Sequence, residues 1–260
     1  MAGPRVSILG AGNVASRLAP ALAEAGARIV QVWGPTASRA ASLAESVGAA
    51  AVASPGELSA DSDFYILAVR DTAVASTAAA MPRTGGIVVH TSGSVPMEAL
   101  APASSRTGVL YPLQTFTAGR RTDLSHVPFF TEGSDADTLA AIDALAGMLT
   151  DSVHHADSST RPLLHVAGVL GCNFPNFLLG CAADVLARGG YSLDVLRPLL
   201  EETVAKAFEA GPDAAQTGPA ARGDVATIER HCGMLPPEQA RIYRDISELI
   251  MARRAALKHS

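Results

Sequence analysis

The chain has 260 residues, 48% of them hydrophobic and 17% charged, with a formal net charge of −5 at pH 7. That is ample apolar content for one large domain or two modest ones. The acidic balance, without a basic run or a Lys/Arg patch interleaved with aromatics, argues against a nucleic-acid surface. Cys172, Cys181 and Cys232 form an odd set with no CxxC pair, which reads as three inert core thiols in a reducing compartment rather than a disulfide framework.

The opening Met1-Ala-Gly-Pro-Arg5 runs directly into an apolar stretch and leaves no room for the regions of a signal peptide, so a cytoplasmic location is expected. Arg5 to Leu9 reads as a strand, Gly10-Ala11-Gly12 as a tight turn, and Val14, Leu18, Leu22 and Ala25 as one face of a helix that Gly26 ends. In this strand-turn-helix, Gly10 takes the turn angles, Gly12 leaves room for a pyrophosphate and Ala15 lets helix and strand pack closely. The helix N-terminus then offers unpaired N–H groups to the anion, with Ala11, Asn13 and Val14 beside it. Arg28 to Trp33 supplies the second strand of a βαβ dinucleotide site.

An NAD-selective site usually has Asp or Glu at the end of that second strand, roughly 20 residues beyond the glycines. Here Thr36, Ser38 and Arg39 follow instead, two hydroxyls and a guanidinium suited to a 2′-phosphate, which favours NADP. The alternative is that Thr36 and Ser38 only cap the helix starting near Arg39; both can hold together.

Further strands are expected at Ala50–Ala53, Phe64–Val69, Ile87–His90, Val109–Tyr111 and Val127–Thr131. A helix is expected over Asp135–Leu149, and Ser152–His155 reads as an edge strand. Loops after parallel strands line the cofactor crevice, so Ala68, Val69 and Arg70 join the candidate cofactor contacts, and Ser92 and Gly93 lie where a nicotinamide or a small acid would sit. The competing reading of His90-Thr-Ser-Gly-Ser94 is a Ser-rich turn that satisfies its own backbone. His154 and His155 point to opposite faces of a strand, so no metal site is expected.

After about Asp157 the strand pattern stops. Pro162–Arg188, Leu193–Ala210, Asp224–His231 and Pro237–Leu257 all read as helical. The expected architecture is α/β, a doubly wound Rossmann sheet over residues 1–157 followed by an all-α domain over 158–260. Pro162–Ala187 is apolar enough to raise a transmembrane question, but His165, Asn173, Pro175 and Asn176 interrupt it and no basic loop flanks it. A buried central helix, partly covered by a second subunit in a homodimer through the helical domain, is the reading adopted, with no membrane partner. Late in the chain Arg222 and Asp224 sit beside a helix start and His231 lies two turns further; on the residues alone Asp224 as an N-cap, with Arg222 incidental, is the preferred reading.

Several stretches resemble one family when taken together: Gly10-Ala-Gly12-Asn13-Val14-Ala15, Ala68-Val69-Arg70-Asp71, His90-Thr-Ser-Gly-Ser94, Tyr111-Pro-Leu-Gln-Thr-Phe116, Arg161 with His165, Asn173-Phe-Pro-Asn176, and Thr217-Gly-Pro219 through Arg222-Gly-Asp224. They look like the family that pairs a Rossmann-like domain with a helical domain of unknown function, described as NADP or coenzyme F420-dependent oxidoreductases. Its architecture is similar to that of 6-phosphogluconate dehydrogenase, ketopantoate reductase and pyrroline-5-carboxylate reductase. The resemblance spans nearly the whole chain and implies hydride transfer from NADP to a small substrate, a ketopantoate-like 2-oxo acid first. A non-catalytic NADP sensor, an F420-dependent reductase and an imine reductase are the alternatives.

Those dehydrogenases use a Lys near the start of the first interdomain helix with an Asn beyond it. This chain has two lysines, Lys206 and Lys258, and neither lies there. His165 stands in the comparable region and becomes the candidate acid, because an imidazole titrating near neutrality can give a proton and regain it. Asn173 would polarise the carbonyl, while Asn176, Ser92 and Arg222, the last held by Asp224 or His231, would contact the substrate.

Overall fold

The computed structural model describes residues 3–117 and 119–257, and the chain forms two compact units that part between Cys172 and Asn173. Met1, Lys258 and the other terminal residues named above lie outside the described residues.

The first unit is built on an eight-stranded sheet: β1 (Arg5–Leu9), β2 (Arg28–Trp33), β3 (Ala50–Ala51), β4 (Phe64–Leu67), β5 (Ile87–His90), β6 (Thr107–Pro112), β7 (Phe129–Gly133) and β8 (Val153–His155). The order is β3-β2-β1-β4-β5-β6-β7-β8, and every neighbouring pair is parallel except β6 with β7. The expected strands are all present. The third is shorter than Ala50–Ala53 and the fourth stops at Leu67, because the chain turns away at Ala68 to pass Gly10.

Helices α1 (Asn13–Glu24), α2 (Ala37–Ser46), α3 (Val74–Ala80) and α4 (Ala136–Gly147) accompany the sheet. Alternation along the strands divides the core. Val6, Ile8, Phe64 and Ile66 pack in one cluster with Leu18 and Leu22 of α1, whereas Leu9, Tyr65 and Leu67 pack in another with Val74 and Ala78 of α3. Each buried Leu or Ile in such a layer contributes about 1.5–3 kcal/mol.

Parallel pairing also levels the strand ends. Leu9 lies opposite Leu67, Leu67 opposite His90 and His90 opposite Val109, so β1, β4, β5 and β6 deliver their following residues to one edge of the sheet. The strand order reverses at β1, and at such a switch point a crevice opens outside the carboxyl ends.

Helix α5 (Arg161–Gly168), read from sequence as part of the helical domain beginning at residue 158, belongs to the sheet unit, because Arg161 is wholly buried there. A π-turn, Val169–Asn173, follows it.

The second unit contains α6 (Phe174–Ala187), α7 (Arg197–Ala210), α8 (Pro212–Ala215), α9 (Pro219–Arg222), α10 (Val225–Cys232) and α11 (Pro237–Leu257). Its buried core is small, formed by Ala220, Ile228 and Cys232 against Tyr243, Ile250 and Met251. An apolar cavity of about 640 Å³ lies between Leu178 and Val185 of α6 and Tyr243, Ile246 and Ile250 of α11, with His231 on its wall.

Within one chain the apolar stretch is uncovered: Leu163, Val166, Leu170, Phe174 and Phe177 are exposed, on the helix for which the sequence reading calls on cover from a second subunit. The expectation of three core thiols is corrected: Cys172 is exposed and Cys181 half-buried, and Cys232 alone is a core residue. By length and composition Arg161–Ala187 would suffice to cross a membrane. Its first residue is nonetheless a buried arginine ion-paired inside the sheet unit.

Candidate active site at the carboxyl edge of the sheet

The first turn is set by Gly10. Its φ is +127°, and a Cβ there would stand 2.2 Å from the Ala68 carbonyl oxygen, so both the backbone angle and the approach of β4 demand glycine. Gly12 differs: a Cβ on it would meet nothing within 4 Å, so the space above it is open. It sits at the N-cap of α1, which has no side-chain cap and no acidic residue in its first turn. Those N–H groups are therefore available to an anion. The Asn13 side chain is already used, its Nδ2 donating to the Phe116 carbonyl at 2.9 Å, while half-buried Val14 packs on the core and Ala11 abuts Gly34.

At the start of α2, Thr36, Ser38 and Arg39 are all exposed. Thr36 occupies the N-cap but makes no side-chain cap hydrogen bond, and Arg39 pairs with no carboxylate among the described residues. The capping alternative is thus not realised through the Thr36 hydroxyl.

Beyond β4, Ala68 lines Gly10, half-buried Val69 follows, Arg70 is exposed, and the Asp71 carboxylate accepts from the Ser94 hydroxyl at 2.5 Å. This ties the loop after β4 to the loop after β5.

The loop after β5 is held from within. The Ser92 hydroxyl oxygen accepts from the backbone N–H of Ser94 and of Val95, both at 3.1 Å, as the Ser-rich-turn reading expects. His90 is fully buried; its Nδ1 accepts from the Ser92 N–H at 3.2 Å, and its Nε2 meets no acceptor within ordinary hydrogen-bond limits among the described residues. Burial, aided by the Arg161 charge, lowers its pKa from 6.5 to about 4, so His90 is neutral at pH 7 with its proton on Nε2.

From outside, the same loop is clamped by Arg161. Its Nε donates to the Ser92 carbonyl at 3.1 Å, one Nη donates to the Val95 carbonyl, and the other pairs with Glu132, whose carboxylate also accepts from Ser158. A buried guanidinium is costly unless every donor direction is met, and here two carbonyls and a carboxylate meet it.

One turn along α5 from Arg161 stands His165. Its ring lies on Gly93, where a Cβ would be 2.8 Å from Nδ1 and 2.9 Å from Cγ. Its Nδ1 is 3.2 Å from the Tyr111 hydroxyl, and the two rings meet edge-on, centroids 6.2 Å apart at 62°. Ser92, Gly93 and His165 are therefore neighbours at one edge, together with Tyr111, Asp71 and Arg161, for which the sequence offered no role. The signal for Arg161 and Tyr111 was their place in the stretches that carry the family resemblance, which named no role for either.

Asn173, Asn176, Arg222 and Asp224 belong to the helical unit, and the first three are exposed. Asp224 is the N-cap of α10, its carboxylate accepting from the Thr227 N–H at 3.1 Å; hydrogen bonding with the Thr227 side chain and with that N–H lowers its pKa. His231 contacts the Tyr243 hydroxyl at 2.8 Å. Neither hydrogen-bonds Arg222, which corrects the expectation that one of them holds it: a cap carboxylate is committed to its own helix end. Among the described residues no group of three or more His, Cys, Asp or Glu stands where it could hold one metal ion.

Residues 5–93 match the family described as NADP oxidoreductase, coenzyme F420-dependent, and residues 127–250 match the domain of unknown function DUF2520. A crystal structure of a Bacteroides fragilis protein assigned as an NADP oxidoreductase is similar at 36% identity, covering 96% of this chain and 98% of that one, with a TM-score of 0.89. A reductive aminase from Aspergillus terreus in complex with NADPH and ethyl-5-oxohexanoate shares the fold at 20% identity, covering 98% and 94%, with a TM-score of 0.72. So does 1-pyrroline-5-carboxylate reductase from Streptococcus pyogenes, at 12% identity over 98% and 100%, TM-score 0.67. No curated protein matches the chain.

Proposed function

Since the chain belongs to the family that joins an NADP oxidoreductase, coenzyme F420-dependent, domain to the domain of unknown function DUF2520, we propose that it holds NADPH along the β1–α1 turn and passes hydride to a small oxo acid. The observation that carries this reading is the open glycine turn: an uncapped helix N-terminus with free space over Gly12, at the sheet edge that also bears Gly93 and His165. Thr36, Ser38 and Arg39 are free for a 2′-phosphate, and no acidic residue stands among them to select the ribose hydroxyl.

When bound, the nicotinamide supplies the hydride. His165 supplies the proton to the oxygen that gains charge, and the carbonyl must find it on the edge where His165 already stands. Asn173, Asn176 and Arg222 are our candidates for substrate contact, Arg222 through the bidentate geometry guanidinium offers a carboxylate. The exposed apolar faces of α6 and α7 support a homodimer through the helical unit, and three unpaired thiols support a reducing, cytoplasmic compartment.

An imine substrate is the second reading. Burial and then the charge of Asp71, which has no ion pair among the described residues, raise the Tyr111 pKa, and that carboxylate would favour a cationic iminium at the same edge. The test is NADPH oxidation followed by absorbance across 2-oxo acids, ketopantoate first, and cyclic imines, with reduced F420 run in parallel. Turnover of an oxo acid supports the first reading, and turnover restricted to imines supports the second. NADPH binding with no turnover of either leaves a cofactor-binding sensor.

A further inference from the structure

We infer that Tyr111 is the positioning residue for His165, holding its Nδ1 so that Nε2 faces the reacting atom; this rests on the reading of His165 as the proton donor. The parallel register of β5 and β6 places Tyr111 on the edge where Gly93 turns. The His165 ring is then fixed on two sides. The backbone of Gly93 lies under it, and the Tyr111 hydroxyl meets Nδ1 at 3.2 Å. Its other nitrogen, Nε2, makes no hydrogen bond among the described residues, which leaves one atom of the ring to act.

A phenol suits that task in both protonation states. Toward neutral imidazole the hydroxyl donates to Nδ1, so the ring N–H resides on Nε2; toward imidazolium the Nδ1–H donates to the hydroxyl oxygen. Hydride carries two electrons from the dihydronicotinamide to the substrate carbon while imidazolium gives its Nε2 proton to the substrate oxygen or nitrogen. NADP⁺, the reduced product and neutral imidazole with its proton on Nδ1, donated to the Tyr111 oxygen, remain, and solvent returns a proton to Nε2.

The groups around the pair are Asp71, bound to Ser94; Arg161, neutralised by Glu132; and His90, uncharged. Burial and the Asp71 charge raise the Tyr111 pKa above its ordinary value of 10, against the opposing effect of Arg161. Tyr111 therefore keeps its own proton at neutral pH and acts through His165.

The test compares Tyr111→Phe and His165→Ala with the native protein. The phenyl ring preserves the packing and deletes one oxygen. We expect Tyr111→Phe to retain its melting temperature and its NADPH affinity within about twofold, and to lose roughly 10- to 100-fold in kcat. The second readout needs no substrate: nitrogen-15 spectra of histidine-labelled protein above pH 8 should show His165 as the Nε2–H tautomer, and Tyr111→Phe should remove that preference. A native Nδ1–H tautomer, or spectra unchanged in Tyr111→Phe, overturns the inference even if His165→Ala is inactive. Full turnover in His165→Ala removes the reading beneath it and the inference as well.

Discussion

Gly93 lies directly beneath His165, so close that a single added Cβ would stand 2.8 Å from the ring's Nδ1. The loop after β5 and the helix that carries the imidazole are thereby in register to within the thickness of a methyl group, and Arg161 holds both by bonding the Ser92 and Val95 carbonyls from one turn earlier on that helix.

Gly93→Ala should push His165 off its place while leaving the dinucleotide turn alone. The expected result is a loss of roughly 10- to 100-fold in kcat with NADPH affinity little changed, and a stability cost of about 1–3 kcal/mol for overpacking. Steady-state kinetics and thermal melts measure both.

Alanine at the two glycines of the first turn should act differently. At Gly10 it meets the Ala68 carbonyl in a left-handed backbone, so the fold itself suffers, by at least about 1–3 kcal/mol. At Gly12 it enters open space, so melting should stay near native while NADPH binding weakens. Equal melting temperatures for the two variants would contradict this account.

Most of this edge was legible in the residues, and for a physical reason. Glycines that must pass another backbone, short continuous apolar runs of strands buried on both faces and helices with a repeating apolar face each write a local pattern, so β1, α1 and β2 could be read directly. Arg161 and Tyr111 could not, because their roles depend on Glu132, Ser92 and His165, which lie 29 to 69 residues away from their partners in sequence. Asp224 shows the reverse: local chemistry favoured a cap, and the cap is what formed. The apolar face of α6 is uncovered within one chain, because apolarity tells that a face needs cover but not which chain provides it.

His90 gives the protein an acid-sensitive core. Its folded pKa, about 4, lies below the unfolded 6.5, so the unfolded chain takes up a proton that the folded one refuses. Stability is full above pH 6.5 and falls as pH drops toward 4, by up to about 3 kcal/mol. Asp157, lowered to about 2 by hydrogen bonds from Ser159 and Thr160, acts in a separate window below pH 4. Denaturant midpoints at pH 7, 5.5 and 4.5 should decline for the native chain. His90→Asn, which keeps an acceptor for the Ser92 N–H, should flatten that decline.

The helical unit should be a dimer surface. Phe208 is 90% exposed on α7, with Leu199 and Val204 also uncovered on that helix. Stable dimers bury about 1,200–2,000 Å². Light scattering should give twice the chain mass, and Phe208→Asp should shift the protein toward monomer; a native monomer at tens of micromolar would refute the surface.

The central claim is an NADPH site on the β1–α1 turn, and titration calorimetry with NADPH and NADH against native protein and Arg39→Ala tests it most directly. The account predicts saturable NADPH binding with a Kd of about micromolar, near −8 kcal/mol, NADH at least about tenfold weaker, and a gap that narrows in Arg39→Ala as the 2′-phosphate loses its guanidinium. No heat from NADPH at millimolar concentration, or equal affinity for both nucleotides in the native protein, would contradict it.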